Sequence, residues 1–387
     1  MLAACVKDPA PATIKQSDLQ GPSCSTAYSY VDYHLLTPKP SDCASCELKW
    51  EIPADASIYS TSTSGIRVRL GKNSGKVKVK MISDAGEGNT VTIDIHIDKE
   101  SGSFSEQYPV YDDFNGLENP YCFLVGGVPH LMHNRNDKIE VYTYAISSDK
   151  WTLKNSFSDQ WHSIQTEPQE IGGSFYFIDI MDNLKKYDPS AGTMTTVSQV
   201  PASGEYIVHF AYNNKFYCGL KHNTNSDPLP DQYLHEYTPG NNTWVQSYKL
   251  PEIYRKNTAP RGYNIVAGGK VISVLSRNTN SDDILVLNPN TQTATEAGSF
   301  KFSIQGAPRG LFLLNNKVLA IGAKENVWID PVNESSSSHE FSSSRQCPKY
   351  INDMRLNGYF NLNNEFFFVG GLNSQNSATK DVLRLIP

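Results

Sequence analysis

The stretch Tyr237-Thr-Pro-Gly-Asn-Asn-Thr-Trp244 decides the fold, because its pattern recurs along the second part of the chain. Each copy opens on a large apolar residue and ends seven positions later on a hydrophobic or small one, and four of the five have Pro two positions after the start. The copies start between 42 and 50 residues apart, at Tyr144, Tyr187, Tyr237, Leu287 and Ile329. Because Pro has a fixed φ and no N–H donor, each copy predicts a chain reversal between two strands.

A second recurring feature is a pair of Gly or Asn residues before an apolar run. Such pairs occur at Gly172-Gly173, Asn213-Asn214, Gly268-Gly269, Asn315-Asn316 and Asn363-Asn364, with Asn119-Pro120 as a looser sixth. Gly and Asn tolerate the positive φ of a tight hairpin, so each pair predicts a turn between two antiparallel strands. Two reversals of this kind give four strands in each repeat of about 46 residues, the size of a propeller blade.

The order of these features resembles the kelch repeat. In that repeat an apolar run ends in Gly-Gly and is followed one strand later by Tyr and Trp. Phe123-Leu-Val-Gly126-Gly127 leading to Tyr144 and Trp151 matches, as does Phe366-Phe-Phe-Val-Gly370-Gly371. The resemblance covers residues 103–387 and implies a six-bladed, galactose-oxidase-like β-propeller with its aromatic side chains packed between blades. Residues 103–111 are predicted to supply the missing fourth strand of blade six and close the ring.

The preceding segment alternates apolar and polar residues from Glu47 to Asp98, which predicts short strands with one buried face. Leu48-Lys-Trp50-Glu-Ile-Pro53 and Gly65-Ile-Arg-Val68 resemble the PKD-like immunoglobulin-fold domains of exported Bacteroidetes proteins. We therefore predict an all-β chain: a tether at residues 1–22, an immunoglobulin-like β-sandwich spacer at 23–99, and the six-bladed kelch-type propeller at 103–387. Five basic side chains are predicted to form one stripe on neighbouring strands, as a solvated polar face or as a contact for an anionic surface or glycan: Arg67, Arg69, Lys76, Lys78 and Lys80.

Charge and hydropathy exclude several classes of protein. The chain has 387 residues and a formal net charge of −6, with no Lys/Arg tract, so it offers no nucleic-acid footprint. No run of ~20 apolar residues occurs, so no membrane span is predicted. Met1-Leu2-Ala3-Ala4-Cys5 resembles a bacterial lipobox, which implies lipidation of Cys5 and an exported, envelope-anchored or periplasmic protein, although the regions that should precede a lipobox are missing.

Cysteine usage suits an oxidising compartment. Seven Cys are present, and three lie between positions 24 and 46. Cys43-Ala-Ser-Cys46 is a single CxxC, whereas zinc takes four ligands, so we predict a local disulfide involving Cys24 rather than a metal site. The pairing is left open.

Candidate ligand-binding residues lie where innermost strands begin, on the face opposite the Gly/Asn turns. Ala259-Pro-Arg261-Gly and Ala307-Pro-Arg309-Gly occupy equivalent places, and guanidinium groups bind carboxylates with two hydrogen bonds. The sequence Asn-Thr-Asn-Ser-Asp occurs twice, beginning at Asn223 and at Asn278. Each copy is predicted to be a loop that serves as a simple turn, as a set of polar contacts for sugar hydroxyls, or as a weak calcium site. The full predicted set is Arg261, Arg309, Arg355, Tyr206, His209, His162, Asn223 and Asn278.

No HExxH, GxSxG, phosphate-binding or dinucleotide motif is present, and no cofactor or metal is predicted. The favoured function is an envelope protein that binds a carbohydrate or another envelope protein. The alternative is an enzyme that resembles the sialic acid mutarotases among kelch propellers. That resemblance implies a central pocket in which Arg261, Arg309 and Arg355 act with Glu205 or Asp353.

Overall fold

The computed structural model describes residues 13–26, 29–37, 46–98, 104–107, 110–111, 120–135, 137–145, 150–158, 163–201, 206–220, 233–250, 262–278, 281–300, 310–322, 326–339, 358–362, 365–370 and 382–385. The chain divides into two compact units. One comprises residues 1–108, 341–350 and 383–387, and the other residues 109–340 and 351–382. Among the described residues, no helix has the length and apolar character needed to cross a bilayer.

The segment before residue 99 forms two four-stranded sheets. After a 3-10 turn at Gln16–Asp18, its strands are β1 (Leu19–Gln20), β2 (Cys24–Thr26), β3 (Tyr30–Leu35), β4 (Glu47–Glu51), β5 (Ser57–Thr61), β6 (Gly65–Arg69), β7 (Gly75–Ser83) and β8 (Gly86–Asp98). The sheet orders are β1-β3-β6-β5 and β2-β8-β7-β4. Tyr33, Val68 and Val77 share one buried core, so apolar residues of both sheets meet inside a β-sandwich.

The predicted basic stripe is wrong, because β6 and β7 belong to different sheets. Arg67 therefore lies on one sheet of the sandwich, and Lys76, Lys78 and Lys80 lie on the other. Each is paired with a carboxylate, as in the Lys78–Glu51 pair at 3.1 Å. The alternation correctly predicted which residues point inward, but it carries no information about which strands are neighbours.

Disulfide bonding in this segment agrees with the prediction for Cys24. Both Cys24 and Cys46 are disulfide-bonded. Among the described cysteines, Cys122 and Cys218 are free thiols, and Cys218 is buried. Cys5 and Cys43 lie outside the described residues, so the lipidation of Cys5 stays a prediction.

Six further sheets follow, and in the first five, four consecutive strands pair antiparallel in chain order. Two short strands come first, β9 (Phe104–Gln107) and β10 (Val110–Tyr111). Blade one comprises β11 (Tyr121–Val125), β12 (Val128–Arg135), β13 (Lys138–Ala145) and β14 (Lys150–Ser158), and blade two comprises β15 (Gln169–Ile171), β16 (Ser174–Ile178), β17 (Asn183–Asp188) and β18 (Thr193–Gln199). Blade three comprises β19 (Tyr206–Tyr212), β20 (Lys215–Leu220), β21 (Tyr233–Thr238) and β22 (Thr243–Lys249), and blade four comprises β23 (Gly262–Ala267), β24 (Lys270–Asn278), β25 (Ser281–Asn288) and β26 (Thr293–Phe300). Blade five comprises β27 (Gly310–Leu314), β28 (Lys317–Ile321), β29 (Asn326–Asp330) and β30 (Ser335–His339), and blade six contains β31 (Gly358–Leu362), β32 (Glu365–Val369) and β33 (Val382–Leu385).

Apolar cores between neighbouring sheets join the blades in a ring. Blade one packs on blade two through Phe123 and Phe175, whose ring centroids are 4.4 Å apart. At the other end of the repeat, Phe360 and Val382 of blade six share a core with Tyr144 and Trp151 of blade one. Comparable clusters join the second blade to the third, the third to the fourth, and the fourth to the fifth, and stacked aromatic rings join the fifth to the sixth. The prediction of a six-bladed β-propeller, with aromatic side chains between blades, is confirmed.

Ring closure follows the predicted route. The sixth sheet has the order β31-β32-β33-β9, so β9 supplies its fourth strand. In addition, Val110 and Tyr111 of β10 pair in parallel with β14, which gives blade one a fifth strand that the sequence did not predict. An additional strand at this position covers the outer edge of the blade.

The doublet turns adopt the predicted conformation. Gly172 and Gly173 have φ of 59° and 79°, and Asn213 and Asn214 have φ of 48° and 57°. One assignment is wrong: the first blade turns at Gly126-Gly127, not at Asn119-Pro120, because Pro120 comes directly before β11. The Gly pair of Phe123-Leu-Val-Gly126-Gly127 therefore follows the first strand of its blade. The kelch pattern places its Gly pair directly after the second strand of a blade. Among the described Gly doublets, only Gly370 lies at that position, after β32.

Candidate functional site

The chain path gives the propeller two different faces. Innermost strands begin on one face, which also carries the hairpins between second and third strands; we call it the mouth face. The doublet and Pro turns lie on the opposite face, the turn face. Contacts there join neighbouring blades: Asn290 Nδ2 donates to the Tyr212 hydroxyl at 2.9 Å, and the Lys270 ammonium lies 2.7 Å from Glu334. On the turn face, these contacts hold neighbouring blades together.

Most of the predicted ligand-binding residues lie outside the described residues. These are Arg261, Arg309, Arg355, His162 and Asn223, and the same holds for Glu205 and Asp353. Their convergence on the channel mouth stays a prediction. The alternative prediction of a sugar mutarotase or epimerase depends on the same residues and stays a prediction as well.

Tyr206 is the predicted residue whose surroundings are best described. It begins β19, and its buried hydroxyl donates to Asp182 Oδ1 of blade two at 3.0 Å. Burial raises the pKa of Tyr206 far above its ordinary value of 10, so the phenol stays neutral and acts as a donor. This bond joins the start of an innermost strand to a hairpin of the neighbouring blade, which places both on the mouth face.

Two other predicted residues are placed by strand register. His209 lies further along β19, opposite Cys218, and only 3% of it is exposed. Asn278 ends β24 and pairs with Ser281 of β25, so it belongs to a strand and not to the predicted loop. In blade one, β12 likewise continues to Arg135, which pairs with Lys138 of β13. A ligand contact by Tyr206, His209 or Asn278 stays a prediction.

The most exposed apolar side chains described on the mouth face belong to the hairpin at residues 179–183, which the sequence analysis missed. Ile180 is 54% exposed and Met181 is 53% exposed. Both project from the turn between β16 and β17. We call Ile180 and Met181 the apolar tip. Asp and Asn side chains often accept hydrogen bonds from the backbone of their own turn, so the sequence Asp179-Ile-Met-Asp-Asn183 could have predicted this hairpin.

A buried carboxylate holds the apolar tip in place. Asp179 is completely buried, and its Oδ1 accepts the backbone N–H groups of Met181 and Asn183, each at 2.9 Å. The Lys185 ammonium lies 3.6 Å from Asp179 Oδ2, and 7% of the Lys185 side chain is exposed. These bonds hold the backbone on both sides of the turn and so restrict the conformations that the tip can adopt.

Blade one contributes a charged hairpin to the same face. The Arg135 guanidinium lies 3.7 Å from Glu140, which also accepts the Tyr142 hydroxyl at 2.6 Å. Burial, together with this bond, raises the pKa of Tyr142. In the part of the chain that the structure describes, no three His, Cys, Asp or Glu side chains come together as a metal site requires.

One solved structure supports the fold through its similarity to this chain. No family model matches the chain, and no curated protein matches it. The structure of YjhT is similar with a TM-score of 0.51 at 12% identity, over 69% of this chain and 94% of that one. Two structures of the extracellular domain of BT4673 from B. thetaiotaomicron give TM-scores of 0.44 at 12% identity; they match 88% and 80% of this chain but only 40% and 36% of theirs. At such identities the similarity to YjhT shows a shared β-propeller fold.

Proposed function

We propose that the protein is a cell-envelope binding protein that recognises a carbohydrate or protein ligand on the mouth face of its propeller. The apolar tip is the observation that supports this function. Ile180 and Met181 are adjacent, and each is more than half exposed. Isolated exposed apolar residues are ordinary, whereas neighbouring ones held on a fixed turn resemble the contact residues of binding surfaces.

Hydrogen bonds within the protein already order the hairpin that carries the apolar tip. Asp179 fixes the hairpin, and the Tyr206 hydroxyl fixes Asp182 from the next blade. A ligand that contacts the tip therefore loses little loop entropy on binding. Met is also unbranched and polarisable, which suits contact with varied apolar surfaces. These properties favour a protein ligand at the tip, or the C–H face of a sugar.

A photo-crosslinking residue placed at Met181 tests this function. In cells, it should crosslink to a ligand that the same residue placed at Val332 does not capture. Val332 is 70% exposed on the turn face and serves as the matched control. Mass spectrometry would identify a protein ligand, and a glycan array would identify a sugar. Equal crosslinking from both positions, together with an array signal that the Ile180→Ser/Met181→Ser variant retains, would contradict the proposal.

We further propose that the protein is exported and held at the envelope by a lipid on Cys5. The disulfide-bonded Cys24 and Cys46 support an oxidising compartment. Expressed with a complete signal peptide, the protein should partition into detergent, and Cys5→Ser should abolish this because lipidation supplies the anchor. Unchanged partitioning of the variant would refute the anchor and leave the ligand proposal intact.

A further inference from the structure

A cleft of about 290 Å³ opens on the β-sandwich, which the sequence predicted to be a spacer. It lies on the sheet β1-β3-β6-β5. Its lining includes Asp32 and His34 of β3, Ser60 of β5, Gly65 and Arg67 of β6, and Ser62 between the last two strands. This volume is at the lower end of the range for small-molecule sites.

Strand register brings the polar lining into neighbouring rows. Asp32 lies opposite Arg67, and Arg67 lies opposite Ser60, so one row crosses three strands with an acid, a base and a hydroxyl. The next row pairs His34 with Gly65. A Cβ at Gly65 would meet the Tyr33 carbonyl and His34, so glycine allows β3 and β6 to approach closely there. Ser62 borders this row and donates its hydroxyl hydrogen to the Gly65 carbonyl at 3.2 Å.

The central ion pair offers donors and acceptors side by side. Arg67 Nε and Nη2 each donate to a different oxygen of Asp32, both at 2.8 Å. Both side chains stay accessible, with 44% of Arg67 and 59% of Asp32 exposed. The hydrogen bonds from Arg67 hold the pKa of Asp32 below its usual range, so the acceptor is a carboxylate at neutral pH. An exposed guanidinium and an exposed carboxylate therefore lie side by side in the lining of the cleft.

Aromatic rings border the polar rows. A bulge in β5 between Ile58 and Ser60 releases Tyr59 from the regular register. The Tyr59 ring meets the Tyr30 ring edge to face, with centroids 4.9 Å apart, and Tyr59 is 46% exposed. Tyr30 lies two positions before Asp32 on β3, so this aromatic pair lies beside the ion pair.

We infer that this cleft is a second ligand site, separate from the mouth face, and that it binds a neutral saccharide. Each sugar hydroxyl both donates and accepts a hydrogen bond, so two adjacent hydroxyls match a guanidinium and a carboxylate in the same row. The C–H face of a sugar ring is apolar, and a saccharide that extends beyond the cleft can place it against the exposed Tyr59 ring beside Ser60. An acidic ligand fits less well, because Asp32 would repel it and already occupies two donors of Arg67.

Titration calorimetry of the full chain tests this inference with four neutral probes, cellotetraose, maltotetraose, mannotetraose and xylotetraose, and with tetragalacturonate as the acidic probe. At least one neutral tetrasaccharide should bind. Arg67→Ala should weaken the affinity for that tetrasaccharide roughly 10- to 100-fold, which is the range for losing hydrogen bonds to a charged group. Tyr59→Ala should weaken it about 2- to 10-fold. Tetragalacturonate should bind more weakly than the neutral ligand.

Lys78→Ala is the matched control. Its ion pair with Glu51 spans 3.1 Å, has 41% and 49% exposed side chains, and lies on the other sheet. Both substitutions remove an exposed pair, which contributes little to folding, so both variants should fold. The Ile180→Ser/Met181→Ser variant should retain saccharide binding, which separates this site from the mouth face. Failure of all four neutral probes to bind, unchanged affinity in Arg67→Ala, or an equal loss in Lys78→Ala or in the tip variant would overturn the inference.

Discussion

Replacing Asp179 with Ala should cost far more stability than the loss of an ordinary surface carboxylate. The substitution removes the acceptor for the backbone N–H groups of Met181 and Asn183. It also removes the carboxylate that faces the buried Lys185 ammonium. Breaking a buried ion pair by removing one member costs about 3 to 5 kcal/mol, because the other charge stays in a poorly solvated place. We expect a loss in this range.

Asp94→Ala provides a control that separates burial from distance. Asp94 Oδ1 lies 3.0 Å from the Lys76 ammonium, closer than the Lys185 ammonium lies to Asp179, but 79% of the Asp94 side chain and 59% of the Lys76 side chain are exposed. Exposed pairs contribute about 0 to 1 kcal/mol. If distance decided the contribution, Asp94→Ala would be the more damaging substitution. Because burial decides it, we expect the opposite order.

Urea unfolding followed by far-UV circular dichroism measures both free energies. Hydrogen exchange at the amides of Met181 and Asn183 gives a local measurement, since both should lose protection in Asp179→Ala. Asp179→Asn keeps one acceptor oxygen without the charge and should fall between wild type and Asp179→Ala. Equal unfolding free energies for Asp179→Ala and Asp94→Ala, with unchanged exchange at both amides, would refute the role assigned to the buried carboxylate.

Three further predictions concern turns, ring closure and pH. Gly172→Val should cost roughly 1 to 3 kcal/mol in urea unfolding because φ is 59° there, whereas Asn213→Gly should be nearly neutral; equal effects would contradict the turn assignment. Deleting residues 103–111 should lower the melting temperature and solubility by removing β9 and β10, and an equally stable truncated protein would show another closure. Burial lowers the pKa of His130 below 6.5, so its contribution to stability is complete above that pH and declines as pH falls; His130→Gln should flatten this dependence in urea unfolding, and an unchanged dependence would contradict it.

The parts of the fold that depend on local backbone chemistry could be predicted from the sequence. The pair Asn315-Asn316 predicted a turn because few residues adopt positive φ, and their φ values are 50° and 61°. Closure by β9 was predictable because blade six lacked a strand and residues 103–111 had no other assignment.

Other features could not be predicted, because one sequence pattern fits several structures. Asn is common both in long loops and in two-residue hairpins, so the composition around Asn278 did not decide the loop length. Alternation gave the inward face of β6 and β7 but not the sheet to which each belongs. The exposure of the apolar tip could not be predicted, because Ile and Met are usually buried. It depends on hydrogen bonds to Asp179 that the sequence does not reveal.

The sixth sheet, with its order β31-β32-β33-β9, has a consequence for biosynthesis. Strand β9 leaves the ribosome before every blade, and its neighbour β33 is made after all the other described strands. Until then β9 has no edge to join, and the first five blades exist as an open arc with apolar surface at both ends. Joining strands so distant in sequence is slow, because a long loop must close before the contact forms. The incomplete arc is therefore the species that a holdase or protease would meet, and it persists until β9 pairs with β33.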